Sequence, residues 1–316
     1  MERASATATE FYSQTALVAA SLGVVLDLFL LPSQPMCLEI MSSFSTLTGG
    51  DMWLYETLSD ALLTQDLFRH LSTLHSQKCL MRVRLPAALK ISKAYGRLMK
   101  DPLYDDLYHI LCCDPYETYI LDLEHQDVLL ENVTLQVAFQ YDVTVFGKTE
   151  EGKSHFEMQK RLRIATVQIG VSMKPMEIYE GIKSEVIVAF LLHKVLVAIK
   201  AEGTMKAAVL LQDWLIILAA SYISDAQGTA SKSFVECEFF QSLIRLVYGL
   251  LRSALLLGKY NVQNDDRSVF LQHLWQSLPP RDLQKAIYPA LMSFSSLDDK
   301  VRTFFFMFLR LIAADD

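Results

Sequence analysis

The feature that most restricts the fold is an apolar run at residues 24–31, which contains a single acid, Asp27, and ends at Pro32. Such a run is typical of a strand that is buried on both faces, as the strands of parallel sheets are. Helical spacing of apolar residues precedes it at residues 10–21, and a second short helix is predicted for residues 37–47. Helix, buried strand and helix form half of a doubly wound α/β unit.

A strand buried on both faces needs neighbouring strands, and the sequence offers no equivalent partner nearby. After the sharp stop expected at Gly49-Gly50, only residues 52–55 resemble a short edge strand. Asp60 is then expected to cap a helix that reaches about His75 and buries one face. That face is formed by Leu62, Leu63, Leu67, Leu71 and Leu74. The sequence therefore predicts the last piece of an α/β domain whose earlier strands lie elsewhere.

The spacing of apolar residues changes at Gln77 from helical to alternating, and the alternation continues to about residue 172. Strands are predicted at residues 79–85, 119–123, 134–146 and 160–171. The last two are joined by a polar turn at residues 147–152, which is the pattern of a hairpin. Several such strands in succession predict an antiparallel β-sandwich.

Helical spacing returns after Pro175 and continues to the last residues of the chain. Helices are predicted for residues 176–196, 205–221, 239–257, 270–277 and 281–294, and the apolar run at residues 304–309 is interpreted as a buried helix. The helix at 205–221 is expected to be a core helix because Gln212 and Asp213 interrupt its apolar character. The residues alone thus predict a multidomain α+β chain with an all-α last part.

Composition excludes several classes of protein. A hydrophobic fraction of 52% with only 21% charged residues excludes a disordered chain, and the net charge of −7 argues against nucleic-acid binding. The five cysteines form no CxxC pair, so no structural zinc site can be written from their spacing, and reduced thiols in the core are expected. The first residues lack the net positive region of a signal peptide.

No motif predicts catalysis, a cofactor or a metal site, since the chain lacks HExxH, GxSxG and a phosphate-binding glycine loop. Two weaker signals stay open. His109 and Cys112 could be a base and a nucleophile, although an unpaired cysteine is more often a small buried hydrophobe. A group of acids could hold a metal, although a turn-rich surface loop explains them as well. These acids are Asp101, Asp105, Asp106 and Asp114.

Five basic residues in the predicted sandwich are the best candidates for a binding surface: Lys160, Arg161, Arg163, Arg82 and Arg84. Strand alternation places Arg161 and Arg163 on one face, where their charges add. Anionic lipid headgroups would attract such a face by about 1 kcal/mol for each basic residue near the surface. An ordinary solvated sheet face is the alternative interpretation.

Ordered motifs in three successive regions resemble the Sec23/Sec24 family of COPII coat subunits. The motifs are LDLFLLPSQ at residues 26–34, LTGG at 47–50 with Tyr55, MRVR at 81–84, RLRIAT at 161–166, the helix start at 176–183, IYP at 287–289 and LDDKV at 297–301. The last two favour the Sec24 side of the family. The histidine that follows the arginines in the family's strand is replaced here.

The resemblance implies an organisation in three parts. A partial α/β, vWA-like trunk remnant is expected at residues 1–76, an antiparallel β-sandwich at 77–173, and an all-α helical domain at 174–316. The zinc ribbon, the first half of the trunk and the gelsolin-like domain of the family have no counterpart in the sequence, so a fragment, a splice form and a diverged relative all stay open.

The resemblance also implies a function. A Sec24-like, non-enzymatic coat component or cargo adaptor in transport from the endoplasmic reticulum to the Golgi is expected, located in the cytoplasm and peripherally on the membrane of the reticulum or of COPII vesicles. Its implied partners are a Sec23-type coat subunit, cargo or SNARE peptide signals and anionic membrane, with no cofactor and no nucleic acid. The alternative is an adaptor or regulatory protein that reuses the fold outside vesicle transport.

Overall fold

The computed structural model describes residues 2–32, 34, 36–55, 61–129, 132–148, 154–225, 233–256 and 266–289. The chain divides into two compact units, Met1–Ile178 with Gly258–Pro279 and Tyr179–Leu257 with Pro280–Asp316. The first unit contains helices and two kinds of sheet, whereas the described elements that lie wholly in the second unit are all helices. The predicted α+β fold class is therefore confirmed.

The α/β part of the first unit contains a small parallel sheet. Its elements are α1 (Glu2–Ser21), β1 (Leu28–Leu30), α2 (Leu38–Thr48), β2 (Met52–Leu54) and α3 (Ala61–Ser72). β1 and β2 pair in parallel, with Leu28 opposite Met52. Leu30, Leu38 and Met52 form the centre of a small hydrophobic core beneath this sheet.

The first predicted strand is shorter than its apolar run, and the expectation that it lacks a nearby partner was wrong. β1 spans three residues instead of eight, and Val24 is 45% exposed. The chain before β1 is held by polar contacts, because the Leu26 amide donates to Thr48 Oγ1 and Asp27 accepts from the Asp51 amide. Apolar composition alone could not show that these hydrogen bonds end the strand early.

The prediction of which face of α3 is buried was also wrong. Leu67, Leu71 and Leu74 are exposed, Leu71 by 75%. The partly covered face of this helix instead carries Asp66, which accepts a hydrogen bond from the Tyr55 hydroxyl at 3.0 Å, and His70. Polar contacts rather than leucine packing therefore set the rotation of α3 about its axis.

The β part of the first unit consists of two antiparallel sheets. Its strands are β3 (Ser76–Arg84), β4 (Leu89–Tyr95), β5 (Met99–Lys100), β6 (Leu107–Cys113), β7 (Ile120–His125), β8 (Val133–Lys148) and β9 (Ser154–Ile169). The larger sheet has the order β5-β6-β3-β8-β9, and β4 pairs with β7 in the smaller one. Four of the seven strands match predicted strands, and β4, β5 and β6 were missed because residues 86–118 lack a long alternating run.

Alternating residues of three neighbouring strands form the core between these sheets. β3 contributes Cys79, Met81 and Val83, β6 contributes Tyr108 and Ile110, and β8 contributes Tyr141 and Val143. Side chains of β4 and β7, including Ile91 and Leu121, pack against this cluster from the second sheet. Four of the five cysteines are buried free thiols, as the composition predicted.

The remaining described helices are α4 (Pro175–Glu180), α5 (Ser184–Glu202), α6 (Thr204–Asp225), α7 (Glu238–Leu251), α8 (Asp266–Ser277) and α9 (Pro280–Ile287). One long helix predicted from residue 176 is two helices, which are separated at Gly181. In the second unit α5 is central, since Val188, Leu192 and Val195 are buried and the helix packs on α6, α7 and α9. The last predicted helical segments lie outside the described residues, which end at Pro289.

Helix α6 is long and apolar enough to cross a membrane when only its length and composition are considered. This is a weak indication, because core helices of globular proteins share these properties. Ala207, Leu211 and Tyr222 of α6 are buried within the second unit, whereas Leu210 is exposed.

Helix α8 packs in the first unit rather than with the other late helices. Its Asp266 carboxylate accepts hydrogen bonds from the Met36 and Leu38 amides, both at 2.6 Å, and so satisfies free amides at the start of α2. Val269 and Phe270 pack against the small core under β1 and β2. The division into three domains, which placed α8 in the helical part, stays a prediction.

Candidate functional site

Two of the predicted basic residues share the core-side face of β9. The strand register pairs Arg161 with Tyr141 and Arg163 with Phe139. Side chains directly opposite each other in antiparallel strands lie on the same face, and Tyr141 and Phe139 belong to the sandwich core. Arg161 and Arg163 therefore lie on one face, as the alternation predicted, beside the core at the edge of the sheet.

The other three basic residues lie on the opposite face. Arg82 pairs with Ala138 in the register, and Ala138 pairs with Ile164, which has the same parity as Lys160. Arg84 lies two residues from Arg82 and so shares its face. The sheet therefore divides the five candidates into two groups, and a flat membrane can meet only one group at a time.

The outer group consists of Arg82, Arg84 and Lys160, and neighbouring acids offset part of its positive charge. Arg82 Nε donates to Asp106 Oδ2 at 2.8 Å, and Lys160 Nζ lies 3.9 Å from Asp142 Oδ1. By contrast, Arg163 is exposed and has no ion pair with any described residue. Of the three outer residues, Arg84 donates to the neutral Gln136 and so keeps its charge uncompensated, which leaves one such cation on the outer face and two on the core-side face.

Strand β9 forms an edge of the sheet, because β8 is its only partner among the described strands. Large apolar side chains are exposed along it, among them Phe156, which is 77% exposed, Met158, Leu162, Ile164 and Val167. An exposed edge with apolar side chains is a common place for another chain or segment to bind. Sequence alternation predicted the strand but not its position in the sheet.

A buried polar cluster that sequence reasoning missed lies where the small parallel sheet meets the sandwich. The Arg97 side chain is 3% exposed and that of Glu117 2%. Arg97 donates to the Glu117 carboxylate, to the Gly50 carbonyl and to Asp51 Oδ1, the last at 2.9 Å. This fork-shaped arrangement satisfies an arginine that would otherwise be a buried unpaired charge.

Burial and ion pairing have opposing effects on the pKa values of Arg97 and Glu117. Burial raises the pKa of the Glu117 carboxyl, and the Arg97 guanidinium in contact with it works against that shift. Burial also disfavours the charged guanidinium, but the hydrogen bond and charge of Glu117, together with Asp51, hold the pKa of Arg97 above its usual value. No motif marks Arg97, because its partners come from three separate parts of the chain.

The Gly49-Gly50 pair of the LTGG motif shapes the backbone beside this cluster. Gly49 ends α2 in the left-handed region at φ 73°, and a Cβ there would lie 3.0 Å from the Cys112 carbonyl oxygen. A Cβ on Gly50 would lie 2.1 Å from the Leu26 carbonyl oxygen. The predicted sharp stop is confirmed, and the two glycines also allow close approach of neighbouring backbone.

Two aspartates and a histidine meet at the amino ends of β1 and β2. Asp27 Oδ1 accepts from the Asp51 amide at 2.8 Å, and Asp27 Oδ2 lies 2.9 Å from His70 Nε2. The other ring nitrogen, His70 Nδ1, lies 3.8 Å from Asp51 Oδ2. The single acid of the apolar run thus lies just before β1, in a polar cavity.

Aromatic side chains fix the position of the His70 ring. Phe29 and Trp53 stack with ring centroids 4.3 Å apart, and His70 meets Trp53 edge-on at 4.8 Å. His75 follows with its ring centroid 4.6 Å from that of His70. Both imidazoles and Asp51 line the same cavity, which Cys112 and Asp114 close on the sandwich side.

The possible thiol nucleophile does not form a catalytic pair with His109. The two residues lie three apart on β6, so their side chains point to opposite faces of the sheet. His109 Nε2 instead lies 2.7 Å from Asp101 Oδ2. Burial raises the pKa of the Cys112 thiol to about 12, which keeps it protonated at neutral pH.

The four acids of the predicted loop also fail to converge. Asp101 caps a turn and contacts His109, Asp105 pairs with Lys100, and Asp106 pairs with Arg82. Asp114 is separate and borders the cavity that contains His70. The structure therefore supports the surface-loop interpretation for three of them.

Comparison with known proteins gives the context for this geometry. Residues 183–285 match the family model "Sec23/Sec24 helical domain". The chain is 36% identical to "Protein transport protein SEC23 D" of Arabidopsis thaliana over 92% of its own length. The chain is a Sec23/Sec24 relative. It covers 42% of the Arabidopsis protein, so it spans less than half of that relative.

More distant relatives agree with this assignment. This Sec23/Sec24 relative is 24% identical to the SEC24 protein of Podospora anserina and 22% identical to human Sec24D, covering 30% and 28% of them. The crystal structure of the human COPII-coat protein Sec24c matches this chain with a TM-score of 0.75, and the match covers 92% of this chain and 38% of the Sec24c chain. At 20% identity that match shows a shared fold. The names include both Sec23 and Sec24, so the preference for Sec24 stays a prediction.

Proposed function

We propose that this chain acts as a Sec24-like component of the COPII coat in transport from the endoplasmic reticulum to the Golgi. The observation behind the proposal is similarity over 92% of the chain to a protein named for protein transport, together with the fold of a COPII-coat protein. The function we propose is binding rather than catalysis, because the candidate nucleophile Cys112 is a buried thiol on the opposite face of β6 from His109.

The proposed partners are a Sec23-type coat subunit, peptide signals of cargo or SNARE proteins, and anionic membrane. The protein would then work in the cytoplasm, peripherally on the membrane of the reticulum or of COPII vesicles. The exposed edge strand β9 and the exposed apolar side chains along it offer surface for protein contacts.

A binding experiment with two tagged coat subunits tests both the role and the side of the family. Purified chain is incubated separately with a Sec23-type and a Sec24-type subunit, and bound chain is quantified. Capture by the Sec23-type subunit alone is expected. Capture by the Sec24-type subunit alone would indicate that the chain is Sec23-like rather than Sec24-like. Capture by neither subunit would contradict the coat role.

Membrane attraction is proposed for Arg161 and Arg163, because they share one face and Arg163 lacks an acidic partner among the residues described. At about 1 kcal/mol for each basic residue, losing both attractions lowers binding to anionic vesicles about 30-fold at low salt, and reversal to glutamate adds repulsion to that loss. The test is cosedimentation of the Arg161→Glu/Arg163→Glu variant with vesicles that contain phosphatidylserine.

The matched control reverses the same number of charges on the opposite face, in Arg82→Glu/Arg84→Glu. A specific loss in the first variant supports the proposed orientation. Equal losses in both variants would mean that net charge alone attracts the membrane, and unchanged binding in the first would remove the proposal.

A second candidate function is an adaptor or regulatory role outside vesicle transport, or the role of a truncated isoform. The divergence of the chain favours it, since identity to the Sec24 proteins of Podospora and human is only 22–24%. Recovery of a stable complex that lacks COPII subunits, after failure to bind either coat subunit, would support this function.

A further inference from the structure

We propose that Asp51, His70 and His75 bind a divalent metal ion of the zinc type. One ligand atom from each of these side chains lies within 4.8 Å of the others. They line a cavity at the amino ends of β1 and β2, and none of them belongs to the sheet faces considered for membrane binding. The proposal therefore does not depend on the coat role.

The distances suit an ion placed between the three side chains. His70 Nδ1 and Asp51 Oδ2 are 3.8 Å apart. Ligand atoms that lie about 2.0–2.1 Å from a tetrahedral zinc ion are about 3.3 Å from each other, so this pair needs to close by only a few tenths of an ångström. The three ligand atoms lie within 4.8 Å of one another, and His75 lies in the connection between α3 and β3, where rotation of its side chain can bring it closer to the other two.

The surrounding hydrogen bonds present the correct atoms. Asp27 Oδ2 contacts His70 Nε2 at 2.9 Å, so a proton on Nε2 leaves the lone pair of Nδ1 facing Asp51. A carboxylate on the far nitrogen of a metal-binding histidine is the usual second contact in zinc sites. Arg97 Nη1 holds Asp51 Oδ1 at 2.9 Å, which leaves Oδ2 directed at the histidine.

The donor set selects the kind of ion. Two imidazole nitrogens and one carboxylate oxygen suit zinc and its transition-metal neighbours, whereas calcium and magnesium prefer oxygen ligands. Three protein ligands leave a fourth position for water. The nearby positive charge of Arg97 weakens attraction for a cation, so binding weaker than that of four-cysteine structural sites is expected.

Cysteine spacing could not reveal this site, because none of its three ligands is a cysteine. The spacing of the ligands along the chain gives no motif either, since they come from three different elements. Asp51 precedes β2, His70 lies on α3, and His75 precedes β3. A bound ion would connect the small parallel sheet, α3 and the first strand of the sandwich within one unit.

Equilibrium dialysis of the whole chain against zinc chloride, followed by metal analysis, tests the proposal. After treatment with a chelator, the protein is expected to bind one equivalent of zinc, and cobalt in its place should give the visible absorption of a four-coordinate site. His75→Ala is expected to weaken zinc binding at least tenfold, and Asp27→Asn to weaken it about 10- to 100-fold through loss of the second contact.

His109→Ala is the matched control, because His109 also pairs with a carboxylate, that of Asp101, at 2.7 Å but is not among the three proposed ligands. Zinc binding should be unchanged in this variant. Equal binding by His75→Ala and the parent would show that the ion binds elsewhere, and absence of stoichiometric binding by the parent would show that the His70–Asp27 pair is structural only. Either result overturns the proposal. Circular dichroism of each variant confirms that it is folded.

Discussion

Replacing Glu117 by Gln should strongly destabilise the first unit at the junction of the small sheet and the sandwich. The Glu117 and Arg97 side chains are 2% and 3% exposed, so water cannot replace the lost carboxylate. Removing one partner of a buried ion pair costs about 3–5 kcal/mol. The remaining partner, Asp51, is 26% exposed and already shares the guanidinium, so it offsets only part of this loss and the lower end of the range is expected.

Hydrogen exchange measures this cost locally and does not require two-state unfolding of the whole chain. Each 1.4 kcal/mol changes an equilibrium tenfold, so 3 kcal/mol corresponds to about 100-fold faster exchange of protected amides. The amides to observe are those of β2 and β6, because Arg97 contacts the backbone of Gly50 and Glu117 follows β6. The helices of the second unit should exchange as before.

Two further variants separate the buried charge from other effects. In Arg82→Met the exposed ion pair with Asp106 is lost, and exchange in the first unit should change little, because water and salt screen an exposed pair. The double variant Arg97→Met/Glu117→Leu should regain part of the loss, because it removes both buried charges of the pair, while the Gly50 carbonyl and Asp51 lose their contact with the guanidinium. The reasoning is refuted if Glu117→Gln accelerates exchange by less than about tenfold, or if the double variant is no better than the single one.

Three other outcomes are expected. Gly50→Ala should destabilise the first unit by about 1–3 kcal/mol in thermal or urea unfolding, because its Cβ would lie 2.1 Å from a backbone oxygen, whereas Gly170→Ala meets nothing closer than 3.9 Å and should be neutral. Asp266→Ala should cost about 0.5–2 kcal/mol and speed exchange in α2, because it removes the two 2.6 Å hydrogen bonds from the Met36 and Leu38 amides; unchanged exchange in α2 would contradict this. Hydrogen bonds from His109 and two backbone amides lower the pKa of the Asp101 carboxyl. The ionised Asp101 therefore stabilises the folded state above the pKa that it has in the unfolded chain, and this contribution disappears as the pH falls through its lower pKa in the folded chain. An NMR titration midpoint of Asp101 at or above about 3.9 would contradict this.

Periodicity predicted most elements in which one face is buried along a continuous run. β3, β8 and β9 alternate over nine to sixteen residues, and α7, which was predicted within residues 239–257, buries Leu243, Leu246 and Leu250 at helical spacing. Two of the failures have a common cause. β1 was cut short and α3 was rotated by polar contacts between residues far apart in sequence, such as Tyr55 with Asp66 and Asp27 with Asp51.

The candidate sites show the same limit. Alternation correctly placed Arg161 and Arg163 on one face, because that needs only the strand period. The relation of these residues to Arg82 and Arg84 depends on which strands are neighbours and in what register, and local spacing contains neither. Arg97 and His75 gave no signal at all, since their roles arise only from partners brought together by the fold.

Because the basic residues are divided between two faces of the sheet, the structure indicates which face could meet a membrane. A count of charges cannot give this information. On the outer face Arg82 and Lys160 lie close to acids, Arg84 donates to the neutral Gln136, and several apolar side chains are exposed, including Leu162 and Ile164. Such a mixed surface favours contact with protein over attraction to a charged bilayer. The core-side face presents Arg161 and Arg163, which have no ion pair with a described residue, together with the exposed Val167 and Ile169. If both proposals hold, β9 separates a lipid-facing side from a protein-facing side, and the paired charge reversals distinguish the two sides directly.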